Sequence, residues 1–168
     1  LVTGRLKIMP YDTHQPPLPP AIRALGDLGD ARARAVLRDA LVSGRRTEDT
    51  EIVDNCAIAL AMFGDTDVLP VLRDASRRRP TACDYDIYWG PDALAICRAL
   101  AHLGNPGIEA LLVILDEDTM RPAAAEALGT TTSPKALPTL LSLLDDNDAA
   151  VRVGAIKGLG HLGNPNAL

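Results

Sequence analysis

Apolar residues recur along this chain at fixed distances from a few polar punctuation marks. With the sequence aligned on Asp30, Asp65, Asn105, Ser133 and Asn164, Leu25, Leu60, Leu100, Leu128 and Leu159 fall five residues earlier, and Ala21, Cys56, Ile96, Ala124 and Ala155 nine earlier. Ala33, Val68, Ile108, Ala136 and Ala167 fall three residues later, and Leu37, Leu72, Leu112 and Leu140 seven later. Steps of three and four put side chains on one face of an α-helix, so an apolar stripe is predicted on either side of every mark. The marks themselves have side-chain oxygens able to accept from the free N–H groups that open a helix. Gly29, Gly64, Gly104 and Gly163 precede four of them and suit the left-handed residue that ends a helix. Pro106, Pro134 and Pro165 follow three, where a missing N–H costs nothing. Each junction is predicted to stop one helix and start the next.

The marks are 35, 40, 28 and 31 residues apart, which predicts a hairpin unit of about 30 residues with insertions in its first two copies. The first insertion is SGRRTEDTE at 43–51, the second RRRPTACDYDIYWGP at 77–91. Small residues at Ala24, Ala59, Ala99, Ala127 and Gly158 are expected to let neighbouring helices approach closely. The predicted architecture is an all-α solenoid of about five hairpins over 20–168, preceded by a Pro-rich leader at 1–19. QPPLPP at 15–20 is expected to be a stiff entry into the first helix. The chain opens on Leu and stops at Leu168, four residues into its fifth second helix. We therefore expect either further repeats or an open apolar face at Ile156 and Leu159 that associates with another copy or a partner.

Three stretches, VRVGAIKGLGHLGNPNAL, MRPAAAEALGTTTSPKALPTLLSLLDDND and AIRALGDLGDARARAVL, resemble the short HEAT-like repeats of the phycobilin-lyase type. The resemblance covers 20–168 and implies an α-superhelix. It also implies an Asp and an Arg in the first helix that tie adjacent repeats together; Asp148 and Arg152 fit, and Arg121 stands at the place equivalent to Arg152. The first three copies lack that Arg, and Thr132 replaces the glycine of repeat four, so an irregular turn is expected there. Such repeats serve scaffolds, regulatory subunits, chromophore lyases, DNA glycosylases and metal-dependent hydroxylases, so the resemblance implies a fold rather than an activity.

Composition narrows this further. At 168 residues one domain is expected, and 47% apolar with only 3% aromatic residues demands a core of Ala, Leu, Val and Ile. The formal net charge of −5 comes entirely from the second half, with 12 basic and 12 acidic residues in 1–84 against 5 and 10 in 85–168. This argues against a nucleic-acid binder, which needs a net basic face. Cys56, Cys83 and Cys97 are odd in number and lack metal spacing, so free thiols in a reducing compartment are expected. No fully apolar run approaches the length of a membrane span, and a soluble cytoplasmic protein is expected.

No Ser-His-Asp order, Gly-rich phosphate loop or paired-cysteine motif is present, so no catalytic residue, metal or cofactor is expected. No His is followed by Glu, which sets aside the di-iron chemistry that the resemblance brings to mind. His102 and His161 lie at equivalent places two repeats apart, about 20 Å at 10 Å per stacked helix, and are expected to be exposed polar positions rather than co-ligands. His14 lies in the leader. Asp116, Glu117, Asp118, Asp145, Asp146 and Asp148 are expected in solvated handovers between repeats. Cys56 and Cys97 fall in the apolar pattern and are expected to act as small buried hydrophobes.

The 77–91 stretch holds Tyr85, Tyr88 and Trp89, three of the five aromatic residues, beside Arg77, Arg78 and Arg79. Arg and aromatic side chains dominate interface hot spots, so these residues are candidates for binding a protein partner, with Arg45 and Arg46 of the first insertion as part of the same basic rim. The alternative is that Tyr88 and Trp89 cover an end of the stack while the arginines pair Asp84 and Asp86. Arg34, Arg38 and Arg73 recur on second helices and would line a concave face. The function expected is a non-catalytic protein-interaction scaffold. A lyase-like or other enzyme-accessory protein is the alternative, and a DNA-binding repeat protein comes third.

Overall fold

The computed structural model describes residues 22, 24–26, 29–78, 93–116 and 119–162. Helical residues 22 and 24–26 belong to α1; then follow α2 (Ala31–Thr47), α3 (Thr50–Met62), a 3-10 turn (Thr66–Val68), α4 (Leu69–Arg77), α5 (Ala93–His102), α6 (Asn105–Ile114), α7 (Arg121–Leu128), α8 (Ala136–Ser142), a second 3-10 turn (Leu143–Asp145) and α9 (Ala149–Leu162). No strand occurs among these residues. The first helices α3, α5, α7 and α9 stack on one another in one layer, and α2, α4, α6 and α8 form the second. The fold is an all-α solenoid, as the spacing predicts.

The core follows the aligned stripes. Cys56, Leu60, Ile96, Leu100, Ala124, Leu128 and Ala155 from first helices meet Ala33, Leu37, Val68, Leu72, Ala136 and Leu140 from second helices, all buried. One position differs: Leu111 rather than Leu112 is fully buried. Helix α6 begins on Asn105 itself, one residue sooner than an Asn cap would allow. Leu25 and Leu159 are only half-buried.

The junctions are built less uniformly than the alignment suggests. Gly29, Gly64 and Gly104 adopt φ values of +65°, +71° and +66°, the left-handed geometry expected of them. Asp30 caps α2 by accepting from the Arg32 N–H at 2.8 Å, and Ser133 Oγ accepts from the Lys135 N–H at 3.2 Å. Asp65 does not cap; its carboxylate turns toward α2 and is 3% exposed. Asn105 stands inside α6 and makes no cap either. Repeat four, without its glycine, closes through hydroxyls: Thr130 and Thr131 donate to the Ala127 and Leu128 carbonyls, each at 2.7 Å.

Two expectations about insertions and small residues need correction. The 43–51 segment, expected as an insertion, is mostly helical, because α2 continues through Thr47 and the handover shrinks to Glu48 and Asp49. Gly44 permits this: it is buried on α2, with Ile52 and Val53 of α3 against it. Close approach at the first repeat comes from Gly26, whose Cβ position lies 2.9 Å from the Ala59 Cα, while Ala24 is exposed. Ala59, Ala99, Ala127 and Gly158 are buried as expected.

Charged ties connect the layers. Arg121 donates to the Leu115 carbonyl at 2.8 Å and to the Asp146 carboxylate, while Arg152 donates to the Asp146 and Asn147 carbonyls at 2.8 and 3.1 Å. The inter-repeat role implied by the resemblance thus falls to Arg121, Arg152 and Asp146. Asp148 serves instead as the α9 cap, accepting from the Ala150 N–H at 2.8 Å. The Asp148 N–H, then Arg121, hold the Asp146 carboxyl below its ordinary pKa.

Candidate protein-interaction surface

Second helices of consecutive repeats run the same way, so the C-terminal ends of α2 and α4 share the handover edge of the stack. Arg45 and Arg46 occupy the last turn of α2, and Arg77 that of α4. All three are exposed, and none pairs with an acid among the described residues. Cations at helix C-termini are stabilised by the exposed carbonyls there, which explains their tolerance in one place without a counter-ion. Arg79, Tyr85, Tyr88 and Trp89 lie outside the described residues, as do Cys83 and His14.

Arg78 is different from its neighbours. Its Nη2 donates to Asp54 Oδ1 at 2.6 Å, and its Nε lies 3.4 Å from Asp74. Asp54, on α3, is 1% exposed; its burial pushes the carboxyl above its ordinary pKa, and Arg78 opposes that rise. Arg34 and Arg38 are likewise committed. Arg38 Nε donates to Asp65 at 2.8 Å and Arg34 Nε lies 3.5 Å from the same carboxylate, tying α2 to the start of the next second helix. Arg73 is exposed and pairs with no described acid.

One row runs across the exposed second-helix face, eight residues after each mark: Arg38, Arg73, Val113 and Leu141. Val113 and Leu141 are 53% and 50% exposed. The row is therefore basic at its N-terminal end and apolar at the other. Sequence alignment contains this row, yet an apolar residue at a single position is not legible as exposed until the helix register is known.

The first-helix layer carries a second feature that the sequence reading passed over. Glu126 on α7 receives Arg98 Nη2 from α5 at 3.1 Å and Lys157 Nζ from α9 at 3.2 Å, with His161 Nε2 at 4.0 Å. These residues sit seven before their marks in three consecutive repeats, a plus, minus, plus ladder that the alignment could have revealed. On one side of it lies a shallow apolar trough of about 570 Å³ lined by Ala93, Leu94, Pro122, Ala150 and Val153. On the other lies a polar recess lined by Arg98, His102, Thr130, Thr131 and His161. The two histidines, at equivalent places two repeats apart, both line this recess, with Thr130 at the equivalent place in the repeat between them.

Among the described residues no group of three or more His, Cys, Asp or Glu is placed to hold a metal ion. Asp116 and Asp145 are exposed, whereas Asp146 and Asp148 have the structural partners given above. Cys56 and Cys97 are in no disulfide and are fully buried, and burial pushes the Cys56 thiol up to about 12. Only the thiolate is nucleophilic, so the native chain is expected to leave both unlabelled by iodoacetamide at neutral pH and to expose both in denaturant. Peptide mapping of the labelled chain checks this. On α9, Val153 and Ile156 are 51% and 60% exposed. No described helix is long and apolar enough to cross a membrane.

No curated protein matches the chain. Residues 20–82, 92–149 and 108–168 match the family described as HEAT repeats, spans that take in the stacked hairpins and both surfaces just described. With that agreement between matched sequence and stacked helical hairpins, the chain belongs to the HEAT-repeat family.

Proposed function

We propose that this protein is a non-catalytic interaction module that docks a partner protein through an acidic segment. Stacked repeats present extended surfaces of the kind used for protein binding. The observation that carries the reading is a contrast in pairing. In the C-terminal repeats every described Arg and Lys has an acceptor: Arg98 and Lys157 on Glu126, Arg121 on Asp146, Lys135 on Glu109, Arg152 on two carbonyls. In the N-terminal repeats Arg45, Arg46, Arg73 and Arg77 have none among the described residues. Four uncommitted guanidinium groups on one part of the surface match carboxylates from outside, and the row from Arg73 to Leu141 suits a segment whose acidic residues precede apolar ones.

Tyr85, Tyr88, Trp89 and Arg79 belong to this proposal as neighbours of Arg77 in sequence. We place the protein in the cytoplasm, which the absence of a disulfide at Cys56 and Cys97 supports.

The test compares capture from source lysate by the native chain and by an Arg45→Glu/Arg46→Glu/Arg77→Glu variant, with Tyr88→Ala/Trp89→Ala in parallel. Arg78 is left intact because it partners a buried acid. A partner held by the native chain and released by the charge reversal supports the reading, and its loss from the aromatic variant extends the site into the 77–91 stretch. Equal retention by both chains sinks it. Salt-dependent binding of duplex DNA by the native chain would favour nucleic acid instead. Light scattering over a range of concentrations separates partner capture from association between copies through Val153 and Ile156.

A further inference from the structure

We propose that the recess at the hairpin-turn edge of repeats three to five binds a small oxyanion, a carboxylate or a phosphate. Its walls come from equivalent positions in consecutive repeats. His102, Thr130 and His161 each stand three residues before a mark, and the short threonine between two imidazoles leaves a space of about 410 Å³. That volume lies within the range of small-ligand sites. Ala101 and Ile108 supply an apolar wall, which lowers the local dielectric and strengthens charge-assisted hydrogen bonds.

Charge decides the class of ligand. Arg98 and Lys157 share a single carboxylate, Glu126, so the ladder retains one positive charge, in a half of the chain whose formal charge is negative. Arg98 lines the recess and its side chain is 49% exposed, so part of its donor fork is open to a ligand. His102 and His161 each have a ring N–H to donate even when neutral. Gly104, on the same rim, is where α6 opens without a side-chain acceptor, so the positive end of that helix faces the same edge. The C-terminal carbonyls of α5 and α9 offset part of this field, but they act only within the last turn, and Arg98 stands one turn further back. The Thr130 and Thr131 hydroxyls already donate to carbonyls, so recognition rests on Arg98 and the two imidazoles.

The chain has three histidines, which makes the test direct. Inorganic phosphate and, separately, succinate are titrated at constant ionic strength into the full chain carrying ¹⁵N-labelled histidine. The His102 and His161 ring resonances are expected to move together along one saturating curve, while His14 stays still as the internal control. Arg98→Gln is expected to weaken that response by about tenfold or more. Exposed His102→Gln provides a second variant should the first shift the melting temperature. A response confined to phosphate assigns the site to phosphoryl groups, and one to succinate assigns it to carboxylates. Equal drift of all three histidines, no saturation at millimolar anion, or unchanged binding in both variants overturns the proposal.

Discussion

Gly158→Ala is expected to unfold at lower urea than the native chain, while Gly160→Ala, two residues further along the same helix, unfolds at equal or higher urea. In an exposed helix interior, alanine is better than glycine by up to about 1 kcal/mol. Among the described residues nothing lies within 4 Å of a Cβ added at Gly160, so only that gain should register there. A Cβ at Gly158 would stand 2.6 Å from the Ala125 carbonyl oxygen and 3.0 Å from a Leu140 methyl, and Gly129 of α7 faces the same stretch of backbone. The carbonyl belongs to a packed helix and cannot step aside. Helices α7 and α9 must separate, and overpacking of this kind costs about 1–3 kcal/mol, outweighing the propensity gain. Two chemically identical substitutions thus acquire opposite signs. Urea melts of both variants decide it, and a Gly158→Ala chain as stable as Gly160→Ala would show that the helices are not in backbone contact.

Arg78→Met is expected to lose about 3 kcal/mol at neutral pH, because it strands the Asp54 carboxylate in the interior without its cation. The deficit should shrink as the solution is acidified. Burial raises the folded-state pKa of Asp54 above its ordinary value, so folding favours the neutral acid: the group's contribution is most favourable below the unfolded pKa and is lost as pH rises through the folded one. Removing Arg78 takes away the opposing influence and extends that window upward. Melts at pH 7 and pH 5 test the sign; a deficit that is the same at both would mean that Asp54 is not ionised in the native chain. A double variant, Arg78→Met with Asp54→Leu, is expected to recover most of the loss, since no buried charge remains. The same reasoning separates Arg78, as a fold residue, from Arg45, Arg46 and Arg77 in any docking experiment.

The stripes around the five marks were legible because a 3.6-residue helix buries every third or fourth side chain. Burial of Cys56, Ile96, Leu128 and Leu140 follows from that period alone. Left-handed glycines at 29, 64 and 104 were legible for a similar reason: only glycine enters that region without strain. Asp65 was misjudged as a cap because an Asp before a helix satisfies capping chemistry wherever it is found. Its diversion to Arg38 depends on how closely α2 passes the next repeat. The 43–51 segment was legible only as extra length between marks, and Gly44 lets α2 use that length to run on against α3.

The candidate surfaces divide in the same way. Arg45, Arg46 and Arg77 were singled out from sequence by their clustering, and helix direction then placed them on one edge. Arg78 belonged to the same run of letters, but only the position of Asp54 across the repeat distinguishes it. The ladder of Arg98, Glu126 and Lys157 is periodic in the sequence. Its sharing of one carboxylate and the recess beside it depend on three helices stacking at backbone contact.

By itself, the sequence determined the helical hairpins and most of the core, because those follow from local periodicity. Tertiary structure decided which charges hold repeats together and which have no acceptor among the described residues, because ion pairing depends on distances between helices that are far apart in the chain.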